Sequence, residues 1–279
     1  MADTQNVIYA QAYSQNIMQL AQQKYSKLMG AVYIKPNVRG KTFFQDQIGQ
    51  WSMEVKGGRN VQTPNNDPVL SRRMGIMLDY HDNRMLDRGD ELKCISDPKS
   101  AYTIAAAASL GRKIDDIVIA ACTGTAYSGE TGATSVTSGN LSTITASSPT
   151  LKSIVALKKK FDDADVEMED RYIIANPTIM DGLLNLSQAT SSDYSTVKAL
   201  ARGEIDTWMG FKWIMSTRLD ATNQAIALQK YGICLAMADA PLVRTDERSD
   251  LSYSWQVYYE LNIGAVRLEE SRVVLVREG

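Results

Sequence analysis

The sequence predicts an α+β protein, on three observations. A single long helix is bracketed between Asp97 and Gly124, alternation of period two recurs at residues 50–55, 75–80 and 253–276, and no strand–helix–strand repeat announces a parallel sheet. At 279 residues the chain fits one large domain or two coupled ones, and a hydrophobic fraction of 44% suffices for an ordinary core.

Residues 1–35 are polar and rich in Gln and Ala. Ile17, Leu20, Ala21 and Lys24 share a thin helical stripe. This reads as an extended arm with a short helix, which buries little alone and needs a surface from elsewhere. Residues 50–82 then read as a long two-stranded excursion. Trp51, Met53 and Val55 fall on one face of the first strand, and Ile76, Leu78 and Tyr80 on one face of the second. Between them, Gly57-Gly58 and Thr63-Pro64-Asn65-Asn66-Asp67-Pro68 are turn signals. A lone hairpin is marginal in water, so this one must pack on its own domain or on another subunit. Arg59, Arg72 and Arg73 suit intersubunit contacts or solvated strand faces equally well.

The helix follows. Asp97 suits the N-cap, Pro98 the first helical position and Gly124 a left-handed stop, for a helix roughly 36 Å long. Ala101, Ile104, Ala108, Ile114, Ile117, Val118 and Ala121 form its apolar stripe. The four alanines 105–108 invite close approach, and close backbone packing would explain Gly111 in mid-helix. Arg112, Lys113, Asp115 and Asp116 are expected on the exposed side. Thr123 to Ser148 reads as loop or weak strand, anchored by Leu141 and Ile144. A second helix from Ser148-Pro149-Thr150 carries Leu151, Ile154, Val155 and Phe161. Arg171–Ala175 is a buried strand, stopped by Asn176-Pro177, which open a short helix through Met180, Leu183 and Leu184. Val197–Ala201 reads as helix, Gly203-Glu204-Ile205 as a turn, and Gly210–Met215 as strand. Gln224–Met237 reads as a strand followed by a short helix. Trp255, Val257, Tyr259 and Leu261, then Val266, Leu268, Val273 and Val276, close the chain in antiparallel sheet.

Chemistry is scarce. Lys plus Arg is 30 against 32 for Asp plus Glu, a net charge of −2 without the electrostatic footprint of tight nucleic-acid binding. Cys94, Cys122 and Cys234 are scattered and odd in number, which argues against a zinc site or disulfide framework and for free, buried thiols. No basic-then-apolar leader begins the chain, and no run of about 18 apolar residues suits a membrane span. The single histidine, His81, lacks a Gly-x-Ser-x-Gly elbow, and its neighbours Asp79 and Asp82 do not share one strand face. Gly57-Gly58-Arg59-Asn60 lacks the Gly-Lys-Ser/Thr ending of a phosphate loop. Asp162, Asp163, Glu167, Glu169 and Asp170 form an acidic cluster, read as a solvated face before a cation site. Cys122 lies near a helix C-terminus, where the dipole disfavours a thiolate. The expectation is a protein without catalytic, cofactor-binding or metal-binding residues, and not an enzyme.

Four strings in order then carry a resemblance. Asp97-Pro98-Lys99-Ser100 with Ser109-Leu110-Gly111-Arg112-Lys113-Ile114-Asp115 resembles the run that opens the long spine helix of tailed-bacteriophage major capsid proteins of the Hong Kong 97-type fold. Arg171–Pro177 resembles that family's strand-then-helix opening of its axial domain. Gly203-Glu204-Ile205 with Met209-Gly210-Phe211, and Gly264-Ala265-Val266-Arg267 with Val273-Val274, resemble two later segments. The similarity covers nearly the whole chain. It implies an N-terminal arm (1–40), an extended E-loop (41–80) and a peripheral domain with the spine helix (81–164, helix 97–123). An axial domain (165–245) and C-terminal strands returning to the peripheral domain (246–279) complete the layout.

The function implied is a structural protein that self-assembles into hexamers and pentamers of an icosahedral phage head around double-stranded DNA. Implied partners are further copies of itself, then scaffold, portal and cement proteins, with DNA against the inner face and no sequence-specific grip. Assembly would take place in the host cytoplasm, without a membrane. Trp51, Met53, Arg59, Arg72, Arg73 and Ile76 are the candidate intersubunit contacts. An encapsulin-like compartment and a metal-dependent enzyme using the 162–170 carboxylates are the alternatives.

Overall fold

The computed structural model describes residues 22–63, 65–86, 98–143, 150–184, 207–219, 223–239 and 241–277. The stripe of Ile17, Leu20 and Ala21, Cys94, the Asp97 cap, Ile144, and the segments 197–201 and 203–205 lie outside these residues. The chain divides into two compact units: a smaller one of 1–26, 80–112 and 240–261, and a larger one of 27–79, 113–239 and 262–279.

In the larger unit, β1 (Tyr33–Lys35), β2 (Thr42–Ile48), β3 (Leu70–Ile76), β5 (Ala126–Ser128), β6 (Thr134–Val136), β7 (Leu141–Thr143) and β8 (Arg171–Ala175) precede β9 (Lys212–Met215), β10 (Asn223–Gln229), β11 (Ile233–Met237) and β14 (Val273–Arg277). One mixed sheet has the order β7-β14-β10-β8-β9; a second runs β2-β3-β5-β6. Helix α2 (Leu151–Asp162) lies on the first sheet. It starts at a capping box in which the Thr150 and Ser153 side chains each accept from the other residue's backbone amide. Its Ile154, Leu157 and Phe161 pack against Ile173, Ala175, Ala225, Ala227, Val274 and Val276. Strands β10 and β14 bury consecutive residues because the sheet is covered where they run, so a continuous apolar run replaces alternation. Helix α3 (Pro177–Leu184) is capped by Asn176, whose Oδ1 accepts from the Ile179 amide at 2.9 Å.

In the smaller unit, β12 (Leu242–Arg248) pairs antiparallel with the first half of β13 (Ser254–Arg267), from Leu242↔Glu260 to Arg248↔Ser254. Strand β4 (Leu78–Leu86) also pairs with β13. Ala106 of helix α1 (Pro98–Thr123) packs there on Val257 and Tyr259. The rest of β13 pairs with β11 in the larger unit, Ile233↔Arg267 to Met237↔Ile263.

Several sequence expectations need correction. Residues 50–55 form no strand despite their alternation; the hairpin strand lies just before them, at 42–48. In the second strand the faces are reversed: Gly75 and Met77 are buried, while Ile76 and Leu78 point outward. The register explains this, since Gly75 sits opposite Phe43, whose ring fills the space a Gly75 side chain would occupy. The helix predicted before Met237 is strand β11, reached through a single 3-10 turn at Lys230–Gly232. Gly124 is not left-handed; its amide continues the helical pattern onto the Ala120 carbonyl at 2.8 Å. Leu151 and Val155 of α2 are exposed, and Leu157 takes the core position between Ile154 and Phe161.

Candidate assembly interface

The β2–β3 hairpin pairs in register from Thr42↔Ile76 to Ile48↔Leu70. One further bond, Gly49 N–H to the Val69 carbonyl at 2.8 Å, ends the ladder. Beyond it Trp51, Met53 and Val55 are 73%, 99% and 95% exposed, and Ile48, Val61, Val69 and Leu70 join them. Of these, Trp51, Met53, Val55, Val61 and Val69 lie on a segment without secondary structure, and Ile48 and Leu70 end the two strands. Leu242 and Val243 at the start of β12, and Leu251 and Tyr253 in the turn at its far end, are exposed apolar residues as well.

The hairpin base is tied down. Gln47 Nε2 and Arg73 Nε both donate to the Leu268 carbonyl, at 3.1 and 2.9 Å. Lys35 Nζ donates to the Phe44 carbonyl at 3.0 Å. Arg73 therefore serves the chain's own packing, with only 13% of its side chain exposed. Arg72 faces outward but is engaged locally: it pairs with Asp46 at 2.5 Å and lies over the Phe44 ring. That hydrogen bond holds the Asp46 carboxyl below its ordinary pKa. Arg59 is exposed within the loop, and Ile76 is exposed at the hairpin's foot. The candidate contacts thus divide into loop residues that are free to meet a partner (Trp51, Met53, Arg59), rim residues (Arg72, Ile76) and the inward-facing Arg73.

Most of the described groups weighed for chemistry have structural partners; Asp163 and Glu169 are exposed. In the acidic cluster, Asp162 pairs at 2.7 Å with the buried Arg171. Glu167 pairs with Arg272, whose hydrogen bond lowers the Glu167 pKa, and Asp170 is lowered by its hydrogen bond from Lys212 at 3.2 Å. The face is solvated as expected, and three of its five carboxylates also pair with basic side chains from β8, β9 and the approach to β14. Among the described residues no group of three or more possible metal ligands comes together. His81 stacks on Tyr258, with ring centroids 6.4 Å apart. Asp82 accepts from the Tyr259 hydroxyl at 2.7 Å. Cys122 and Cys234 are free and buried, and burial pushes their thiols up to about 12 and about 11, far from thiolate chemistry at neutral pH.

Sequence reasoning missed the most demanding polar residue. Arg267 is fully buried, and its Nη1 donates to the carbonyls of Ala121, Cys122 and Gly124 at 3.3, 2.8 and 2.8 Å. Nη2 donates to the Val136 carbonyl at 3.1 Å, and Nε to Glu270 at 2.8 Å. One guanidinium thus satisfies two orphan carbonyls in the last turn of α1 and that of Gly124 just beyond it. The available signal was an arginine between Val266 and Leu268 in a strand buried on both faces. Asp115 was likewise expected outside; it is fully buried on α1.

The sequence matches the family described as phage capsid protein over residues 6–278. The chain belongs to the phage capsid protein family. No curated protein matches it by sequence. Among solved structures, the capsid protein shares its fold with the capsid of cyanophage P-SCSP1u (14% identity, 98% of this chain and 94% of that one, TM-score 0.79). It is also similar to a chain of Mycobacterium phage Che8 (16% identity, 96% and 97%, TM-score 0.71) and of a native GTA particle capsid (12% identity, 100% and 98%, TM-score 0.74). These likenesses fit the α+β, Hong Kong 97-type architecture and lend nothing to the compartment or enzyme alternatives. The capsid protein is a structural, non-enzymatic building block of the virion shell, the major capsid protein that multiplies into it.

Proposed function

We propose that copies of this chain form the pentamers and hexamers of an icosahedral head, in which each hairpin loop lies over an adjacent subunit. The observation that carries the reading is the loop beyond Gly49, whose Trp51, Met53 and Val55 stand exposed past a hairpin base that is pinned to the chain's own C-terminal turn. A rigid base with a greasy, unpaired tip is built to reach outward, and the many modest contacts of a closed shell add through multivalency. The arm (1–40), E-loop (41–80), peripheral (81–164), axial (165–245) and C-terminal (246–279) layout accompanies this reading. So do a scaffold, a portal and cement proteins as partners, DNA lining the inner face, and assembly in the host cytoplasm. Near-neutral net charge suits a container for nucleic acid better than a grip on it.

The test replaces residues 51–67 by a short Gly-Asn linker, which leaves the Gly49–Val69 closure intact. Coexpressed with its neighbouring genes, this variant is expected to give soluble subunits and no closed shells by negative-stain electron microscopy. Closed shells of normal diameter would sink the loop assignment.

A further inference from the structure

Residues 22–28 run along helix α1 and are held there by main-chain contacts. Arg112 Nη1 donates to the Gln23 carbonyl at 3.1 Å and to Gln22 Oε1 at 2.9 Å. At Gly111, a Cβ atom would stand 2.8 Å from the Ser26 nitrogen and 3.0 Å from the Tyr25 carbonyl carbon. The fully buried Asp115 carboxylate accepts from the amides of Lys27 at 3.1 Å and Leu28 at 3.2 Å, and Leu28 itself is buried. Gly111 and Asp115 are one helical turn apart, and Arg112 is adjacent, so the three share one stretch of α1. Glycine here disfavours the helix relative to alanine. A buried carboxylate is costly unless its hydrogen bonds are made. Both act on the segment's backbone, beside the side-chain contacts of Gln22 and the buried Leu28.

We infer that Gly111, Arg112 and Asp115 form a clasp that sets where and in which direction the N-terminal arm leaves the subunit, and so which neighbouring surface the arm reaches in the shell. The inference rests on the reading of residues 1–40 as an assembly arm. The clasp residues are positioning residues; they need not touch a neighbouring subunit.

Trypsin supplies the readout, because Lys24 and Lys27 lie within the clasped segment. Asp115→Leu, which removes two hydrogen bonds to the segment, and Gly111→Ala, which sets a methyl against its backbone, are each expected to raise the cleavage rate after Lys27 in the unassembled chain by roughly tenfold or more. Asp115→Asn, which keeps one carbonyl acceptor, is expected to fall between. In coexpression with neighbouring genes, the first two are expected to give open or misshapen particles. Val118→Ala, a cavity variant on the same helix, controls for simple instability and is expected to leave Lys27 protected. Unchanged cleavage in both Asp115→Leu and Gly111→Ala overturns the clasp, as do normal closed shells from variants whose Lys27 has become labile. Truncation of residues 1–21 with the clasp intact separates the two ideas. Normal shells from the truncation would remove the arm reading itself. Failed shells from the truncation beside normal shells from the clasp variants would remove only the clasp.

Discussion

Replacing Arg267 by Met tests the energetic logic of the larger unit. Methionine has a similar length and suits a buried strand position, so the change removes hydrogen bonds and charge with little change of volume. Four backbone carbonyls, those of Ala121, Cys122, Gly124 and Val136, lose a donor, and Glu270 loses its closest cation. Truncating one partner of a buried charged network costs about 3–5 kcal/mol, because the groups left behind stay desolvated and unpaired. Stability of an ordinary domain is about 5–15 kcal/mol, so the loss takes a large share. For a chain of this size it corresponds to a fall in melting temperature of roughly 6–20 °C, at about 2–4 °C per kcal/mol. The assay is urea unfolding of the unassembled chain followed by tryptophan fluorescence, with a scan of melting temperature beside it. Arg267→Lys is expected to recover only part of the loss, since one ammonium cannot reproduce the planar fork that reaches all five acceptors. An Arg267→Met midpoint within about 1 kcal/mol of the parent would refute the reasoning. It would mean that water satisfies the end of α1 and that the guanidinium is dispensable.

Other outcomes follow from the same geometry. Glu167 has its pKa lowered by the hydrogen bond from Arg272, so its contribution is present above the unfolded carboxyl pKa of about 4.3 and is lost as pH falls through the lower folded value. Glu167→Gln is expected to flatten the acid limb of the stability–pH curve below about pH 4, measured by urea midpoints across pH. In a Cys94→Ser background, a thiol reagent at pH 8 should leave Cys122 and Cys234 unlabelled until the chain unfolds, because burial holds both thiols far above that pH. Labelling of the native chain on the reagent's own timescale would contradict their burial. Gly264→Ala places a methyl 2.2 Å from the Ile76 carbonyl oxygen, so a loss of about 1–3 kcal/mol is expected where the backbone must move, read again from the urea midpoint.

The long helix, the α2 cap, strand β8 with its Asn176-Pro177 stop, and the alternation of β13 were legible in the sequence. Each depends on local signals: a cap, a period, a turn residue. Gly111 was legible as well, since glycine in mid-helix asks for a close neighbour, although nothing local names residues 25 and 26 as that neighbour. Strand β11 was misread because a continuous apolar run fits a buried strand and a short helix equally. Residues 50–55 show the converse. Their period is right for a strand, but a strand needs a hydrogen-bonding partner, and the hairpin ladder has already ended at Gly49–Val69.

By itself, then, the sequence determined the class of fold, the absence of recognisable catalytic motifs and, through four ordered strings, the family to which the chain belongs. Only the tertiary structure decided which charges are inside. Asp115, Arg171 and Arg267 look like ordinary surface residues in a linear chain, because their partners lie between 3 and 146 residues away along it. Burial of a charge is worth its desolvation only when those distant carbonyls, amides and carboxylates converge on it, and convergence is a property of three dimensions. The same reason governs the hairpin loop: Trp51 and Met53 read as one face of a strand, and only the end of the ladder at Gly49–Val69 leaves them as exposed surface.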